Sequence, residues 1–337
     1  MSTTFRSLLR KVGSGTHTHT HLSRAEAQQA IELMLGGEAT PAQIGAFLIA
    51  HRIKRPTIAE MGGILDAYAE LGPQLDPIDR QVCIFGHPYD GRDRTSPVAP
   101  LVALILATAG VPVLQHGAGV CPTKYGVPLV KLWQALGIDW TGRNLTDLSH
   151  HLKMQNLSFV YMPEHFAAAQ TVMNYRDEIG KRPPLATAEL LWTPYAGPYH
   201  LIAGFVHPPT EAIMQALIEA PNTLTTVKGL EGSCDLPRSR TVIMQHKGER
   251  LFLKAKDYDL EGSDVAYPGL EDWQEAAQQV LAGHSKALLW ADVIWNAGVY
   301  LWLTGVAESV AVGIAQATDG LITGQVEQYR QLVANPQ

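Results

Sequence analysis

Three loops of this 337-residue chain combine glycines with charged side chains, a pattern that suits an anionic ligand. They span residues 86–97, 115–126 and 228–240. In the first loop, Arg92 and Arg94 carry guanidinium groups, which bind phosphate in a bidentate manner. Backbone amides are less useful there, because the two prolines of the loop donate no hydrogen bond. The alternative is an ordinary turn in which Asp90 and Asp93 pair with the two arginines.

The second loop carries His116, a candidate general base at the end of a short apolar run. The alternative is a packed, hydrogen-bonded histidine with no chemical role. Gly117 and Gly119 would let a ligand approach the backbone closely. Cys121 has no activating base beside it in the sequence, so we do not expect it to act as a nucleophile.

The third loop holds two carboxylates among several cations. Glu231 and Asp235 are hard oxygen donors that would suit a cation such as Mg²⁺. They would equally form salt bridges with Lys228 and Arg238 of the same loop. Because no second carboxylate cluster accompanies them, we favour the salt bridges over the metal site.

The composition limits the class of protein. Apolar residues make up 46% of the chain, and the net charge is −6, so the chain as a whole is not a general polyanion binder. Its three cysteines are scattered, which favours a reducing, cytoplasmic location without disulfides. The apolar stretches 98–114 and 287–307 contain prolines or polar residues and fall short of a membrane span. No membrane partner and no secretory signal are expected.

The first 70 residues predict short, strongly capped helices. Capping boxes are present at Ser23–Glu26, Thr40–Gln43 and Thr57–Glu60. The run of alternating threonine and histidine from Thr16 to His21 precedes them. We interpret this run as a linker, and metal binding by its histidines is the alternative.

From residue 81 onward, short apolar runs alternate with helical segments, which indicates a mostly parallel sheet flanked by helices. Strands are predicted at 81–85, 111–114, 158–162, 200–206, 223–227, 240–245 and 250–254, and helices at 100–109, 273–282, 284–304 and 307–323. The predicted fold is therefore a small all-α N-terminal domain joined to a larger α/β domain. In such a sheet ligands bind beyond the carboxyl ends of the strands, where all three loops fall.

Three segments of the chain resemble the anthranilate phosphoribosyltransferase family. They cover residues 22–63 (LSRAEAQQAIELMLGGEATPAQIGAFLIAHRIKRPTIAEMGG), 107–138 (ATAGVPVLQHGAGVCPTKYGVPLVKLWQALGI) and 287–320 (ALLWADVIWNAGVYLWLTGVAESVAVGIAQATDG). The resemblance implies a helical domain over 1–75, completed by helices from about 164–192, and an α/β domain over 76–337. It further implies a ligand cleft at the hinge and a homodimer formed through the helical domain.

The family transfers a phosphoribosyl group from phosphoribosyl pyrophosphate to anthranilate with Mg²⁺, and the motifs for this reaction are altered here. The Gly-Thr-Gly-Gly-Asp turn of the family is represented by Gly86-His87-Pro88-Tyr89-Asp90. The Mg²⁺-binding Asp-Glu pair aligns with Cys234-Asp235, and a serine-rich stretch is reduced to Thr123, although Lys124 persists. Arg182 matches the arginine near the acceptor pocket. We therefore assign no cofactor, and Mg²⁺ is expected only if transferase activity is retained.

The altered motifs are more similar to a branch of the family that binds DNA or RNA. Tyr89-Asp90-Gly91-Arg92 is close to a Tyr-Asn-Gly-Ala-Arg loop, and Lys228-Gly229-Leu230-Glu231-Gly232 matches a Lys-Gly-x-Glu-Gly turn. By this resemblance, a basic groove would be lined by Arg92, Arg94, Lys124, Arg182, Lys228, Arg238 and Arg240. The complete predicted ligand set is Gly86, Tyr89, Asp90, Gly91, Arg92, Arg94, His116, Gly117, Thr123, Lys124, Arg182, Lys228, Gly229, Arg238 and Arg240.

Three functions remain open at this point. The preferred hypothesis is a non-catalytic protein that binds nucleic acid or another phosphate-bearing ligand in the hinge cleft. The first alternative is an active phosphoribosyl transferase that uses anthranilate or a related acceptor. The second alternative is a regulatory or structural dimer without a polyanionic ligand.

Overall fold

Two hydrophobic cores organise this computed structural model, which describes residues 2–15 and 17–335. Thr16, the first residue of the threonine–histidine run, lies outside the described residues. The helices are α1 (Thr3–Gly13), α2 (Arg24–Leu35), α3 (Pro41–Lys54), α4 (Ile58–Leu71), α5 (Ala99–Thr108), α6 (Leu129–Ala135), α7 (Leu145–Gln155), α8 (Met162–His165), α9 (Ala167–Glu178), α10 (Leu185–Leu191), α11 (Pro208–Gln215), α12 (Leu270–Leu281), α13 (Trp290–Leu303), α14 (Val310–Ile322) and α15 (Gln325–Ala334). The strands are β1 (Val82–Gly86), β2 (Val113–Gly117), β3 (Leu157–Tyr161), β4 (Tyr199–Gly204), β5 (Thr223–Val227), β6 (Val242–His246) and β7 (Glu249–Leu253).

The first core is mostly helical. Helices α1 to α4 enclose Phe5 and Phe47, and the later helices α9 and α10 pack against them, with Phe166 and Trp192 in the same cluster. Helices α2, α3 and α4 each begin at a capping box, at the three positions that the sequence predicts. The reciprocal side-chain and backbone hydrogen bonds satisfy amide groups that would otherwise be unpaired at each helix start.

The second core surrounds a seven-stranded sheet with the order β3-β2-β1-β4-β5-β6-β7. The first five of these strands are parallel, and β6 and β7 continue the sheet as an antiparallel pair. The predicted fold class, a helical N-terminal domain with a mostly parallel α/β domain, is confirmed. Of the helices that flank the sheet, α5 is buried along almost its whole length.

The strand boundaries differ most from prediction at β2, which begins two residues later and ends three residues later. Proline at 112 delays its start, and the strand continues through Gln115 and His116, which the sequence places in the loop. Both polar side chains are buried, and Gln115 is paired with the Trp133 indole at 3.1 Å. Polar residues remain in this strand because the interior provides their hydrogen-bond partners.

Among the predicted helices, α13 differs most from its prediction. Helix α13 begins at Trp290, not at 284, because residues 284–289 form consecutive tight turns.

Among the described residues, no helix is long and apolar enough to cross a membrane. Cys83, Cys121 and Cys234 are buried and unpaired.

The strand order determines where a ligand site can form. The chain moves outward from β1 to β2 and β3 on one side, and from β4 to β5 on the other. The switch point therefore lies between β1 and β4, and the loops after β1, β2 and β5 leave the same edge of the sheet. Crevices at this position are the usual ligand sites of open α/β sheets.

Candidate functional site

A group of five charged and polar side chains forms where the three loops meet. It consists of Arg92 and Thr95 from the first loop, Lys124 from the second, and Glu231 and Asp235 from the third. We call this group the Arg92 cluster. The third loop is more than 100 residues away from the other two along the chain, so the parallel sheet brings these side chains together.

Glu231 is a buried carboxylate with partners from two loops. Its Oε1 accepts hydrogen bonds from the Thr95 backbone N–H at 2.9 Å and the Thr95 hydroxyl at 2.8 Å. Its Oε2 accepts from the Lys124 ammonium group at 2.9 Å and lies 3.5 Å from Nε of Arg94. Burial opposes ionisation, but the bonds from Lys124 and Thr95 outweigh it and hold the pKa of Glu231 well below its usual range. Glu231 is therefore an anion that is already paired.

Asp235 lies at the N-terminus of α5. Its Oδ2 accepts the backbone N–H of Val98 at 2.9 Å and also accepts a hydrogen bond from Nη1 of Arg92. No residue next to α5 in the sequence caps this helix with its side chain. Asp235 therefore supplies the acceptor and the negative charge that a helix N-terminus favours, from 137 residues away.

Arg92 lies between the two carboxylates. Its Nη1 donates to Asp235, its Nη2 donates to the Thr95 hydroxyl, and its Nε lies 3.7 Å from Oε1 of Glu231. Only 4% of the residue is exposed. The guanidinium group thus joins the first loop to the third and is not directed at solvent.

These contacts change the predicted pairing. Asp90 does not pair with the arginines of its own loop but with Arg182, which follows α9. Glu231 and Asp235 form salt bridges, as favoured, but not with Lys228 and Arg238. The Arg238 guanidinium group instead binds Asp292 of α13 at 2.7 Å. The partners were wrong because sequence proximity does not show which loops the sheet brings together.

A very small cavity remains beside the Arg92 cluster. It measures about 20 Å³ and is lined by His87, Pro88, Arg92, Ser233 and Asp235 among others. A volume of about this size holds one water molecule. Burial lowers the pKa of His87 to about 4, so its ring is neutral at pH 7.

His116 and Tyr89 form a buried pair on the same side of the sheet. The Tyr89 hydroxyl lies 2.6 Å from Nδ1 of His116, and both side chains are almost completely buried. Burial lowers the pKa of His116 to about 3 and raises that of Tyr89 well above its usual value. Both groups are neutral at pH 7, so the geometry agrees with a packed histidine and not with a general base. Burial likewise raises the pKa of the Cys121 thiol to about 12, which leaves it unreactive.

The predicted ligand-binding glycines approach the chain itself. A Cβ atom on Gly86 would lie 2.0 Å from the Leu190 carbonyl oxygen, and one on Gly229 would lie 2.1 Å from that of Ser233. Glycine is therefore required at these two positions by backbone packing. Gly117 differs from these two, because a Cβ atom there would lie 3.4 Å from the ring of Phe159, which is an ordinary van der Waals distance.

A much larger cleft, of about 960 Å³, lies between the helical domain and the sheet. The helical side contributes Arg52, Ile53 and Arg55, and the sheet side contributes Tyr89 and His207. The wall between them includes the Arg182–Asp90 pair and a buried Arg176–Glu189 pair. The volume lies within the range of ligand sites, about 300–1,000 Å³.

The predicted basic groove is only partly present. Arg92 and Arg238 have buried guanidinium groups in internal ion pairs, so their charge is already neutralised. Arg94, Lys124 and Arg182 are partly exposed but paired with acidic residues. In the described part of the chain, only Lys228 and Arg240 of the seven form no ion pair, and the Arg240 guanidinium bonds the Lys228 and Gly229 carbonyls. Thr123 is exposed in the second loop.

The donor set does not fit a magnesium ion. The oxygens of Glu231 and one oxygen of Asp235 already accept bonds from cations and amides, and the Arg92 guanidinium fills the space between them. Within residues 2–15 and 17–335, no group of three or more histidine, cysteine or acidic side chains is placed to hold a metal.

The residues on the helical side of the cleft have little signature in the sequence. Arg52 and Arg55 follow the apolar face of α3 and resemble ordinary basic residues at a helix C-terminus. Glu189 and Arg176 occupy helices whose spacing predicts only burial. The sequence does indicate where α3 ends. Arg55 precedes a proline, and a residue in that position is biased away from helical geometry.

Comparison with known proteins extends these observations. A family model described as "Glycosyl transferase family, helical bundle domain" matches residues 6–72. An anthranilate phosphoribosyltransferase of Rhodospirillum rubrum is 27% identical over 316 residues, covering 91% of this chain and 89% of that protein. An uncharacterized protein of Aquifex aeolicus is 28% identical over 304 residues, covering 88% of this chain and 92% of that protein.

Solved structures share the fold along nearly the whole chain. The anthranilate phosphoribosyltransferase of Saccharomyces cerevisiae, solved in complex with PRPP and Mg, superposes with a TM-score of 0.83 at 18% identity, covering 98% of this chain and 97% of that chain. The enzyme of Thermus thermophilus superposes with a TM-score of 0.78 at 21% identity, covering 97% and 98%. At these identities the likeness concerns the fold alone.

Proposed function

Because the chain belongs to the family of anthranilate phosphoribosyltransferase-like glycosyl transferases, we propose that it is a non-catalytic member of that family. Its ligand is nucleic acid or another phosphate-bearing molecule, bound in and around the cleft between the helical domain and the sheet. The proposal is carried by one observation. In the Arg92 cluster, side chains of the chain itself fill the place where the family resemblance predicts the metal and the pyrophosphate.

The filled cluster removes the means of stabilising a leaving pyrophosphate. Departure of that group needs a cation and several amide donors aimed at the developing charge. Loss of one such donor costs about 10²–10³ in rate. Here the remaining cavity is about 20 Å³, and the Val98 amide is already bonded to Asp235. Several stabilising groups are therefore missing together.

The remaining positive charge suits a polyanion at the surface. Lys228 and Arg240 form no ion pair in the described residues, and they belong to the loop whose Gly232 lines the cleft. Arg52 and Arg55 provide cations on the opposite lip. Phosphate contacts of this kind supply most of the affinity for nucleic acid without sequence preference.

The first experiment tests transfer. The protein is incubated with phosphoribosyl pyrophosphate, MgCl₂ and anthranilate, and the loss of anthranilate fluorescence is followed. The Rhodospirillum rubrum relative, assayed in parallel, is the positive control. We expect no loss above the rate without protein, and turnover at a rate comparable to that of the control would reject the proposal.

The second experiment tests binding. Gel shifts with a single-stranded DNA oligonucleotide are run at about 50 mM and about 200 mM salt, a range over which phosphate contacts weaken strongly. We expect binding at the lower concentration and a marked loss at the higher one. If no DNA or RNA is bound even at low salt, nucleic acid is removed as the ligand.

An active transferase is the second candidate, and the large cleft favours it. The cleft of about 960 Å³ has room for an acceptor, and the Arg182 position matches the family motif near the acceptor pocket. In this case the acceptor is anthranilate or a related molecule. Release of pyrophosphate from phosphoribosyl pyrophosphate with a panel of aromatic and heterocyclic acceptors separates this candidate from the first.

We further infer a homodimer through the helical domain. Ile58 and Leu71 are large apolar side chains at the two ends of α4, with 48% and 45% of their surfaces exposed. Exposed apolar surface is typical of protein contacts. Sedimentation should give about twice the mass of the chain, and a monomer at micromolar concentration would contradict this inference.

A further inference from the structure

We propose that the Arg92 cluster is a cation site occupied by the chain's own guanidinium group, and that replacing Arg92 turns it into a divalent-cation site. The proposal rests on the proposed function, because a chain without metal-dependent transfer has no use for an open metal site. It goes further by assigning to one residue the loss of metal binding.

The first argument is the arrangement of oxygens around Arg92. Oδ2 of Asp235 and the hydroxyl of Thr95 both accept hydrogen bonds from the guanidinium group, and Oε1 of Glu231 lies 3.7 Å from its Nε. Two carboxylates and a hydroxyl that converge on one cation are the oxygen ligands that Mg²⁺ and Mn²⁺ use. The guanidinium group occupies the space between these three side chains.

The second argument is that the chain's own Asp235 carboxylate takes the place of a bound anion. Asp235 lies at the N-terminus of the ten-residue helix α5 and accepts the Val98 amide at 2.9 Å. A helix N-terminus at the edge of a sheet is where a bound phosphate would be expected. The Asp235 carboxylate and the Arg92 guanidinium therefore stand in for an anion and its cation as one buried pair.

The third argument is exclusion. An arginine cannot lose its charge under physiological conditions, so Arg92 repels a second cation at all relevant pH values. With Arg92 in place, the cavity of about 20 Å³ has no room for a hydrated divalent ion. Removal of the side chain opens space and leaves Asp235 without its cationic partner, whereas Glu231 keeps its contacts with Lys124 and Arg94.

The wild-type protein provides the first test. Mn²⁺ is added at about equimolar protein, and the electron paramagnetic resonance signal of free Mn²⁺ is recorded. We expect the full free signal, and a melting temperature that changes by less than about 1 °C between EDTA and millimolar MgCl₂. A protein-bound fraction of Mn²⁺ that Asp235→Asn abolishes would overturn the proposal.

The Arg92→Ala variant provides the second test. In EDTA it should melt below the wild type, and millimolar Mg²⁺ or Mn²⁺ should raise its melting temperature by about 3 °C or more, since a ligand of the native state stabilises it by mass action. The double variant Arg92→Ala/Asp235→Asn should lose this response. The matched control is Arg94→Ala, which removes an exposed arginine from Glu231 but leaves Arg92 in place, and it should remain unaffected by metal.

Each outcome decides the proposal. A folded Arg92→Ala protein without any metal response overturns it, and so does a metal response that survives Asp235→Asn. If Arg92→Ala does not fold, Arg92→Gln takes its place, because glutamine is neutral and shorter than arginine. The same criteria then apply. A wild type that catalyses phosphoribosyl transfer rejects the proposed function, whereas a wild type that is inactive and yet binds Mn²⁺ through Asp235 rejects only this inference.

Discussion

Two buried carboxylates, Glu60 in the helical domain and Glu231 at the sheet edge, are each surrounded by cations and amides. Glu60 accepts hydrogen bonds from the Lys54 ammonium group at 2.6 Å and from the backbone N–H groups of Thr57 and Leu22 at 2.7 and 2.9 Å. In both groups burial opposes ionisation, but the bonds from the partners outweigh it, and the pKa of the carboxyl lies well below its usual range. Chemically, the two arrangements are alike.

They differ in the exposure of their cations. The side chain of Lys54 is 1% exposed, whereas those of Lys124 and Arg94, which pair with Glu231, are 23% and 73% exposed. A closed pair has only a structural role, because no ligand can reach it. The partly open pair at the sheet edge keeps cations within reach of a ligand while its carboxylate stays neutralised. The comparison separates a closed structural ion pair from a partly open one that a ligand can reach.

The largest expected effect is from Glu60→Ala. This change leaves the buried Lys54 charge without its partner, and breaking a buried pair in this way costs about 3–5 kcal/mol. The matched control is Asp66→Ala, which breaks the exposed Arg24–Asp66 pair and should cost about 1 kcal/mol or less. Urea unfolding of both variants measures the difference, and similar costs would show that Glu60 is not a closed structural pair.

The same comparison explains what the sequence could predict. Most partners of Glu60 lie within nine residues of it, and the Thr57–Glu60 capping box is visible in the sequence. The hydrogen-bond partners of Glu231 are 107 to 137 residues away, and no local pattern indicates them. The sequence therefore led to two acidic residues and several arginines but assigned the wrong pairs.

The elements were easier to predict than the site for the same reason. Strands such as β5, Thr223–Val227, are set by local apolar runs, and the observed range is the predicted one. Arg92 was predicted as a ligand-binding residue from its type and loop, which are local properties. Its burial depends on the third loop closing over it, and that packing depends on the strand order.

The second-largest effect should come from Glu231→Ala. The Thr95 backbone N–H and hydroxyl lose this acceptor together with three cations, but Lys124 and Arg94 can be hydrated and Arg92 keeps its bond to Asp235. We expect a loss of about 1–3 kcal/mol, the cost of unpaired buried donors. Glu261→Ala, at an exposed position, is the control and should be neutral within about 0.5 kcal/mol. A cost equal to that of Glu60→Ala would remove the distinction between the open and the closed pair.

A smaller effect is expected from mild acid. Both carboxyls have a lower pKa in the folded state than the value of about 4.3 in the unfolded chain, so below that value the unfolded state binds more protons. Their contribution to stability is fully present above about pH 5 and is lost as the pH falls toward the folded pKa. Between about pH 5 and pH 4, Glu60→Gln and Glu231→Gln should therefore lose less stability than the wild type. The free energies of unfolding in urea are measured for all three proteins. Equal losses in the wild type and the two variants would contradict the lowered pKa values of these carboxyls.

The smallest effect on stability, and the largest on binding, is expected from the double variant Lys228→Ala/Arg240→Ala. Neither side chain forms an ion pair in the described residues, so the cost should stay within about 0.5 kcal/mol. If both bind phosphate, single-stranded DNA binding weakens, and the slope of log affinity against log salt falls by about 0.7 for each phosphate that is no longer bound. Arg92→Ala should show the reverse, because its charge is already neutralised inside the protein: lower stability with an unchanged salt dependence. If Arg92→Ala and the double variant both lower stability, or both lower the salt dependence, then the unpaired cations of the third loop and the buried Arg92 do not have separate roles.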